Sequence, residues 1–306
     1  MGVQLTTEHI QKIRRKHCPV CSAGVNVGFN KPEQTAAPGE CIKYLWYADK
    51  EYGTCMLSSF GDLRNHRYHG LFGAIIIEPP AAKYYGENPC RKEAFGDQAV
   101  ITAPGEKPFR EFVLFAHNGI RLLDNQGNLI KTAAQSEGGG HGGVDHEDTG
   151  EKGYNYRSER FFNRLVRKPD ISKVFSSKAH GDPSTPVFEA YTGERVIIRY
   201  LMPADKPRNI SLALHGHNWR AQPDDPFSTI ISVQGAVSVG GAYNIELEHG
   251  ASEYPGDYLY RSGSLKWDVE SGMWGIFRGL RKGVRYCCSC VCRSIGNWWE
   301  KKWYDK

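Results

Sequence analysis

The chain of 306 residues is long enough for one large domain or two ordinary ones, and its hydrophobic content of 40% is that of a globular protein. Its net charge of +5 is small for this length and comes partly from the two ends, so the charge does not favour a nucleic-acid-binding protein. The sequence holds no apolar run long enough to span a membrane, and its first residues lack the apolar core of a secretory signal. Abundant Tyr, Phe, Gly and Pro favour an all-β protein of short strands and many turns.

The first strong strand signals lie between residues 41 and 78. Residues 41–48 (CIKYLWYA) and 53–60 (GTCMLSSF) are apolar and aromatic around a short turn, which predicts a hairpin. After a polar loop, residues 70–78 (GLFGAIIIE) form an apolar run closed by two prolines, which predicts a buried strand. Residues 80–108 show no strand pattern and are interpreted as a loop.

The strand pattern restarts at residues 111–123 (EFVLFAHNGIRLL) and is interrupted by residues 131–153, which are rich in Gly and polar residues. That composition predicts an exposed loop or a linker. One helical turn is expected at 160–166, and two strands around a Thr-Gly turn at 187–202. Further strands are predicted at 209–219, 229–239, 243–248, 256–261 and 273–277.

An internal repeat organises these elements. The blocks PGECIKYLWYA, GTCMLSS and HGLFGAIII are followed about two hundred residues later by GGAYNIELE, GDYLYRSG and SGMWGIFR. Gly53 corresponds to Gly256, and Gly70 corresponds to Gly272. Only the second copy is preceded by its own front half, so we expect half a β-domain followed by a whole one.

These blocks resemble a known family. LHGHNW, with GDYLYRSG and SGMWGIFR downstream, is similar to the final cupredoxin domain of multicopper oxidases, and NHRYHGLFGAIIIEP resembles the end of the preceding domain. The resemblance covers roughly residues 25–280. It implies Greek-key cupredoxin-like β-sandwiches, one partial and one complete. It also implies a copper-dependent oxidoreductase that couples oxidation of a metal ion or small organic reductant to dioxygen reduction, with this chain as a portion of a larger enzyme.

Several copper ligands of that family are not matched. On the histidine strand, Ile210 stands at the type 1 position and Ala213 at the type 2 position, whereas His215 takes a type 3 position. Residues 262–264 (Ser-Gly-Ser) stand where the family has His-Cys-His, so the type 1 cysteine is missing. A type 1 copper needs a Cys thiolate and two His. The alternatives are therefore a copper enzyme and a non-catalytic cupredoxin-like structural module without bound copper.

His215 and His217 are candidate metal ligands. Residues two apart in a strand share a face, so both imidazoles would point the same way if the strand runs through them. His66 and His69 precede Gly70 and are candidates to add nitrogens from the first half-domain. The alternatives are a hydrogen-bonded strand end for the first pair and a solvated loop for the second, where neighbouring arginines disfavour a dication.

Other metal-ligating residue types have simpler explanations. Met273 stands at the axial copper position and is interpreted as a core residue, and His249 is interpreted as a surface residue. Residues 141–148 contain His and acidic side chains in a polar loop. Paired cysteines near both ends permit a four-thiolate zinc site, although their spacing is irregular. These cysteines are Cys18, Cys21, Cys287, Cys288, Cys290 and Cys292.

The predicted organisation is an N-terminal extension (1–24), a partial cupredoxin-like domain (25–105), a complete one (106–280) and a tail rich in Cys and Trp (281–306). If the chain is active, its partners are a small-molecule or metal-ion reductant and dioxygen. The unpaired half-domain predicts association with other cupredoxin domains or with itself. Members of the family are often secreted or periplasmic, whereas this chain shows no signal peptide, so the compartment stays open.

Overall fold

A computed structural model of the chain describes residues 22–30, 33–63, 65–86, 96–128, 150–203 and 209–281. Strands dominate these residues and form two facing sheets, so the prediction of an all-β sandwich is confirmed. The described helices are single turns: α1 (Asn65–Tyr68), α2 (Phe161–Leu165), α3 (Ser177–His180), a 3₁₀ turn (Ile171–Lys173) and a π-helical turn (Leu265–Val269). None of the helices in these ranges is long and apolar enough to cross a membrane.

The described strands run from a small hairpin into a larger sandwich. In chain order they are β1 (Gly53–Ser58), β2 (Phe72–Ile77), β3 (Lys83–Tyr85), β4 (Gln98–Thr102), β5 (Phe109–Ile120), β6 (Glu151–Tyr154), β7 (Val187–Tyr191), β8 (Val196–Leu201), β9 (Ile210–Leu214), β10 (Trp219–Arg220), β11 (Ile230–Ile231), β12 (Val233–Val237), β13 (Ala242–Glu246), β14 (Gly256–Arg261) and β15 (Trp274–Leu280). One sheet has the order β13-β8-β5-β4-β3, with β6 also paired to β5, and the other has the order β12-β9-β14-β15-β7.

An aromatic core fills the space between the two sheets. The ring of Phe112 on β5 lies 4.5 Å from that of Phe188 on β7 and 5.8 Å from that of Phe277 on β15. Strand β8 is buried along its whole length because both of its faces are covered. Ile198 and its alternate neighbours face this core, whereas Arg199 faces the hairpin.

The internal repeat is present as two antiparallel hairpins with the same register. In β1–β2, Gly53 pairs with Ile77, and in β14–β15 the corresponding Gly256 pairs with Gly279. The same correspondence holds at the other end, where Ser58 pairs with Phe72 and Arg261 pairs with Trp274. The sequence blocks therefore mark the same local structure in both copies.

The two hairpins differ in what surrounds them. β14 and β15 are flanked by β9 and β7, whereas β1 and β2 pair only with each other in the described part of the chain. Strand alternation puts Cys55 and Ile75 on the face that corresponds to the core face of the second hairpin. Ile75 is 36% exposed there, while the corresponding Phe277 is fully buried.

Two elements differ from the sequence prediction. Residues 41–48 form no strand: the Trp46 indole donates to the carbonyl of Ser22 and stacks on Tyr44, so β1 takes β2 as its partner. The loop interpretation of residues 80–108 is wrong where β3 and β4 extend the sheet next to β5. The domain boundaries at residues 24, 105 and 280 stay predictions.

A buried polar cluster joins the hairpin to the sandwich. Arg199 bonds Glu78, which follows β2, and its Nε lies 2.8 Å from Glu111 Oε2. Asn244 Oδ1 accepts from Arg199 Nη1 at 2.9 Å and from the Thr54 hydroxyl at 2.7 Å. Two carboxyl groups thus share one guanidinium in a buried site.

The hairpin approaches Asn244 closely at Gly53. This residue has φ +63°, and a Cβ on it would lie 2.4 Å from Asn244 Nδ2. Only glycine adopts this positive φ without strain and also leaves the Asn244 side chain in place.

We expect Glu78→Gln to remove a pH dependence of stability. Burial, then the hydrogen bond to Glu111, raises the pKa of Glu78 from 4.5 to about 8. Stability from this group is fully present below pH 4.5 and is lost as the pH rises through about 8, since the unfolded chain ionises first. The melting temperature of the wild type should fall over this range, and that of Glu78→Gln should fall less.

The matched control for this experiment is Glu106→Gln. Glu106 is half-exposed and pairs with Arg195 at the rim, so its removal should leave the slope unchanged. Equal slopes in the wild type and Glu78→Gln would contradict the shared-guanidinium explanation.

We also expect the chain to self-associate through the open face of β1–β2, because its apolar side chains form half of a sandwich core. Ile75→Lys should shift the sedimentation-velocity distribution towards monomer. Ile171→Lys is the control, since Ile171 is 62% exposed outside the hairpin. A monomeric wild type at tens of micromolar, or equal association of both variants, would refute this prediction.

Candidate functional site

The candidate histidines His215 and His217 lie in the turn after β9. The strand ends at Leu214, and Gly216 follows with φ +72°, where a Cβ would lie 2.9 Å from the Tyr258 ring. His215 is exposed and His217 is buried. The condition under which both imidazoles would share a strand face is not met, because the strand ends at Leu214.

His217 is anchored among aromatic rings. Its ring packs edge-on against Tyr258 at 5.0 Å and Phe277 at 4.9 Å. Nδ1 lies 2.9 Å from the carbonyl oxygen of His215 and donates to it, so Nε2 carries the lone pair. Nε2 is buried without a hydrogen-bond partner among the described residues. Burial lowers the pKa of His217, which keeps the ring neutral.

His215 is engaged by an arginine. Its Nε2 lies 3.1 Å from Arg261 Nε, which donates to it, so the imidazole is the acceptor. Partial burial, followed by the charge of Arg261, lowers the pKa of His215. The nitrogen that would face a metal is therefore taken by a cation.

Positions that the resemblance matches to copper ligands have other partners. Ile210 and Ala213 are buried apolar residues, and Ile210 belongs to the core between the sheets. A Cβ on Gly263, at the position of the type 1 cysteine, would lie 2.2 Å from Ser211 Oγ. A cysteine there would have to displace that serine.

Ser262 belongs to a row of buried polar side chains that bond to one another. It is fully buried, and its hydroxyl donates to Asp268 Oδ2 at 2.6 Å. Asp268 Oδ1 lies 3.5 Å from Lys152 Nζ, which also donates to the carbonyl of Trp267 at 2.9 Å. The carboxylate is thus satisfied by a lysine and a hydroxyl.

His66 and His69 have hydrogen-bond partners of their own. His66 Nδ1 lies 2.7 Å from Ser59 Oγ, and His69 Nδ1 lies 2.9 Å from the carbonyl oxygen of Arg121. No group of three or more His, Cys, Asp or Glu side chains in the described ranges is placed to hold a metal ion. The candidate ligands His66, His69, His215 and His217 therefore include no converging set of three, and a copper site at them stays a prediction.

The remaining candidate residues lie in the core, beside paired glutamates, or outside the residues that the structure describes. Met273 is fully buried in the aromatic core. Glu246 and Glu248, on either side of Leu247 before His249, pair with Arg195 and Arg220. Residues 141–148, Cys18, Cys21 and the terminal cysteines lie outside the described residues.

These contacts do not fit a copper centre of the kind that the resemblance implies. Arg261 holds His215, Gly263 leaves no room beside Ser211, and Ser262 is bonded to Asp268. Sequence reasoning missed Arg261. The sequence feature that could have indicated it is a basic residue directly before the three positions that the resemblance matches to His-Cys-His.

A cleft of about 460 Å³ opens beside this contact. It is lined by Ala213, Leu214, His215, Gly216, His217, Asn218, Ser232, Val233 and Arg261. Arg261 is its charged residue, and the other polar groups are neutral side chains and backbone. The cleft is thus suited to ligands with acceptor groups.

Comparison with known proteins found that the chain is similar to several solved structures. No family model and no curated protein sequence matches the chain. A multicopper oxidase structure is 18% identical with a TM-score of 0.46, over 80% of this chain and 62% of that chain. A copper nitrite reductase from Nitrosomonas europaea is 16% identical with a TM-score of 0.39, over 74% and 62%. The chain thus spans 62% of the length of each. Identities and TM-scores this low assign no activity.

We expect Ser262→Ala to destabilise the protein by about 1–3 kcal/mol, because the buried Asp268 carboxylate loses a hydrogen bond. Urea denaturation followed by far-ultraviolet circular dichroism measures the free energy of unfolding. Ser228→Ala removes a partly exposed hydroxyl that accepts from the Gln222 backbone N–H, and it should cost less than about 0.5–1 kcal/mol. Equal losses of unfolding free energy in both variants would show that the Ser262–Asp268 hydrogen bond contributes no more to stability than the control bond.

Proposed function

We propose that this chain is a non-catalytic cupredoxin-like module of a multicopper-oxidase-like protein, in which the sandwich is structural and His215 and His217 hold no copper. The observation that carries the proposal is the contact between Arg261 Nε and His215 Nε2 at 3.1 Å. Metal binding at His215 would require its lone pair to leave this hydrogen bond. It would also place a dication next to a guanidinium, at a separation where like charges repel strongly.

The surroundings of Ser262 and Gly263 support the same proposal. A type 1 copper accepts electrons through a Cys thiolate and two imidazoles. Here Ser262 makes a serine–aspartate–lysine chain, and a side chain on Gly263 would collide with the Ser211 hydroxyl. These groups stabilise the fold and offer no redox chemistry of their own.

A copper-dependent oxidoreductase is the second candidate. His217 Nε2 favours it, because it is a lone pair without a hydrogen-bond partner in the described chain and lies two residues from His215. In that case His215 and His217 would hold copper, and the reaction would couple oxidation of a metal ion or small organic reductant to dioxygen reduction.

Copper uptake separates the two candidates. Cysteines outside the described residues can take up copper themselves, so the informative comparison is between the wild type and His215→Gln. After equilibrium dialysis against Cu(II), we expect both proteins to hold the same amount of copper by metal analysis and to give the same visible spectrum.

One additional copper equivalent in the wild type, absent from His215→Gln, would overturn the structural module and support the oxidoreductase. Circular dichroism of both proteins confirms that they are folded. Because His215 is exposed, its substitution leaves the core unchanged.

A further inference from the structure

Arg261 is only partly buried, and it differs from the buried arginines in its partners. Each of those is neutralised by at least one carboxylate: Arg110 by Glu194, Arg164 by Glu159, Arg199 by Glu78 and Glu111. Arg278 is likewise paired with Asp182 and Asp257. Arg261 has no carboxylate partner in the described part of the chain, and it bonds an imidazole and a carbonyl instead. Its charge is therefore not compensated within these residues.

The contacts of Arg261 leave one edge of its guanidinium available. Nε is used by His215, and Nη1 donates to the carbonyl of Ser262 at 3.0 Å. Nη2 has no acceptor among the described residues, and Nη1 retains a second hydrogen. These N–H groups form a planar fork of the kind that binds a carboxylate with two parallel hydrogen bonds.

The cleft beside Arg261 supplies further donors. Asn218 and Ser232, whose side chains carry hydrogen-bond donors, are among its lining residues, and no acidic residue is. His215 orients the guanidinium through Nε and stays neutral, because burial and the charge of Arg261 lower its pKa. A bound anion would meet a fixed positive charge and neutral donors without a competing carboxylate.

We propose that this cleft binds a small carboxylate anion, held on the guanidinium fork of Arg261 with Asn218 and Ser232 as additional donors. This inference goes beyond the proposed structural role and uses the same Arg261–His215 contact, so the two are tested by separate measurements.

The test is a titration of the metal-free protein with sodium acetate at pH 7, with sodium chloride holding the ionic strength constant. Backbone and histidine-ring chemical shifts report binding at the turn. We expect saturable shifts at residues of the cleft with a dissociation constant on the order of millimolar. Arg261→Gln should weaken binding by at least about tenfold, because it removes the charged fork.

Matched variants separate the fork from general charge. Arg220→Gln removes an arginine that bonds the Pro226 carbonyl and Glu248, and it should leave acetate binding unchanged. Arg261→Lys keeps the charge without the fork and should bind several-fold more weakly than the wild type. Melting temperatures confirm that each variant is folded.

The absence of saturable shifts, or equal affinity in the wild type and Arg261→Gln, would overturn the carboxylate site. Copper uptake is read independently by metal analysis. If acetate binds and copper is also taken up at His215, only the proposed structural role is overturned. If neither binds, only the carboxylate site is overturned.

Discussion

The guanidinium of Arg199 is the point at which the two parts of the chain are joined. It reaches Glu78 after the hairpin and Glu111 on β5, while Asn244 links it to Thr54. Apolar contacts such as that between Phe72 and Phe115 add attraction but little direction. Desolvation offsets much of the gain from burying such charged and polar groups. The position of the hairpin on the sandwich, and hence its open face, depends on this network.

The turn after β9 carries chemistry that the sequence resemblance did not predict. A copper centre gathers neutral imidazoles and a thiolate around a cation. This chain instead places a guanidinium beside His215 and joins Ser262 to Asp268 and Lys152. The fold specifies where side chains meet, and the side chains specify what they bind.

The repeated hairpins show that neighbouring strands determine whether a hairpin face is buried. β1–β2 and β14–β15 have the same register, yet Phe277 is enclosed by a second sheet and the corresponding Ile75 is 36% exposed. Local sequence is sufficient to form both hairpins. Neighbouring strands alone make one of them part of a core, which is why the incomplete copy is expected to seek a partner.

Periodicity and turn residues in the sequence determined the all-β class, the repeat and most later strands, because alternation, Gly and Thr-Gly turns act locally. They did not determine that residues 41–48 would bond Ser22 instead of β1, since strand pairing depends on which partner is nearby. Nor did they show that the strand ends before His215, or that Arg261 reaches its ring. Residues 215 and 261 are far apart in the chain, and only the pairing of β14 with β9 brings them together. The sequence by itself thus identified the strand and its histidines, and the tertiary structure decided that His215 faces a positive charge.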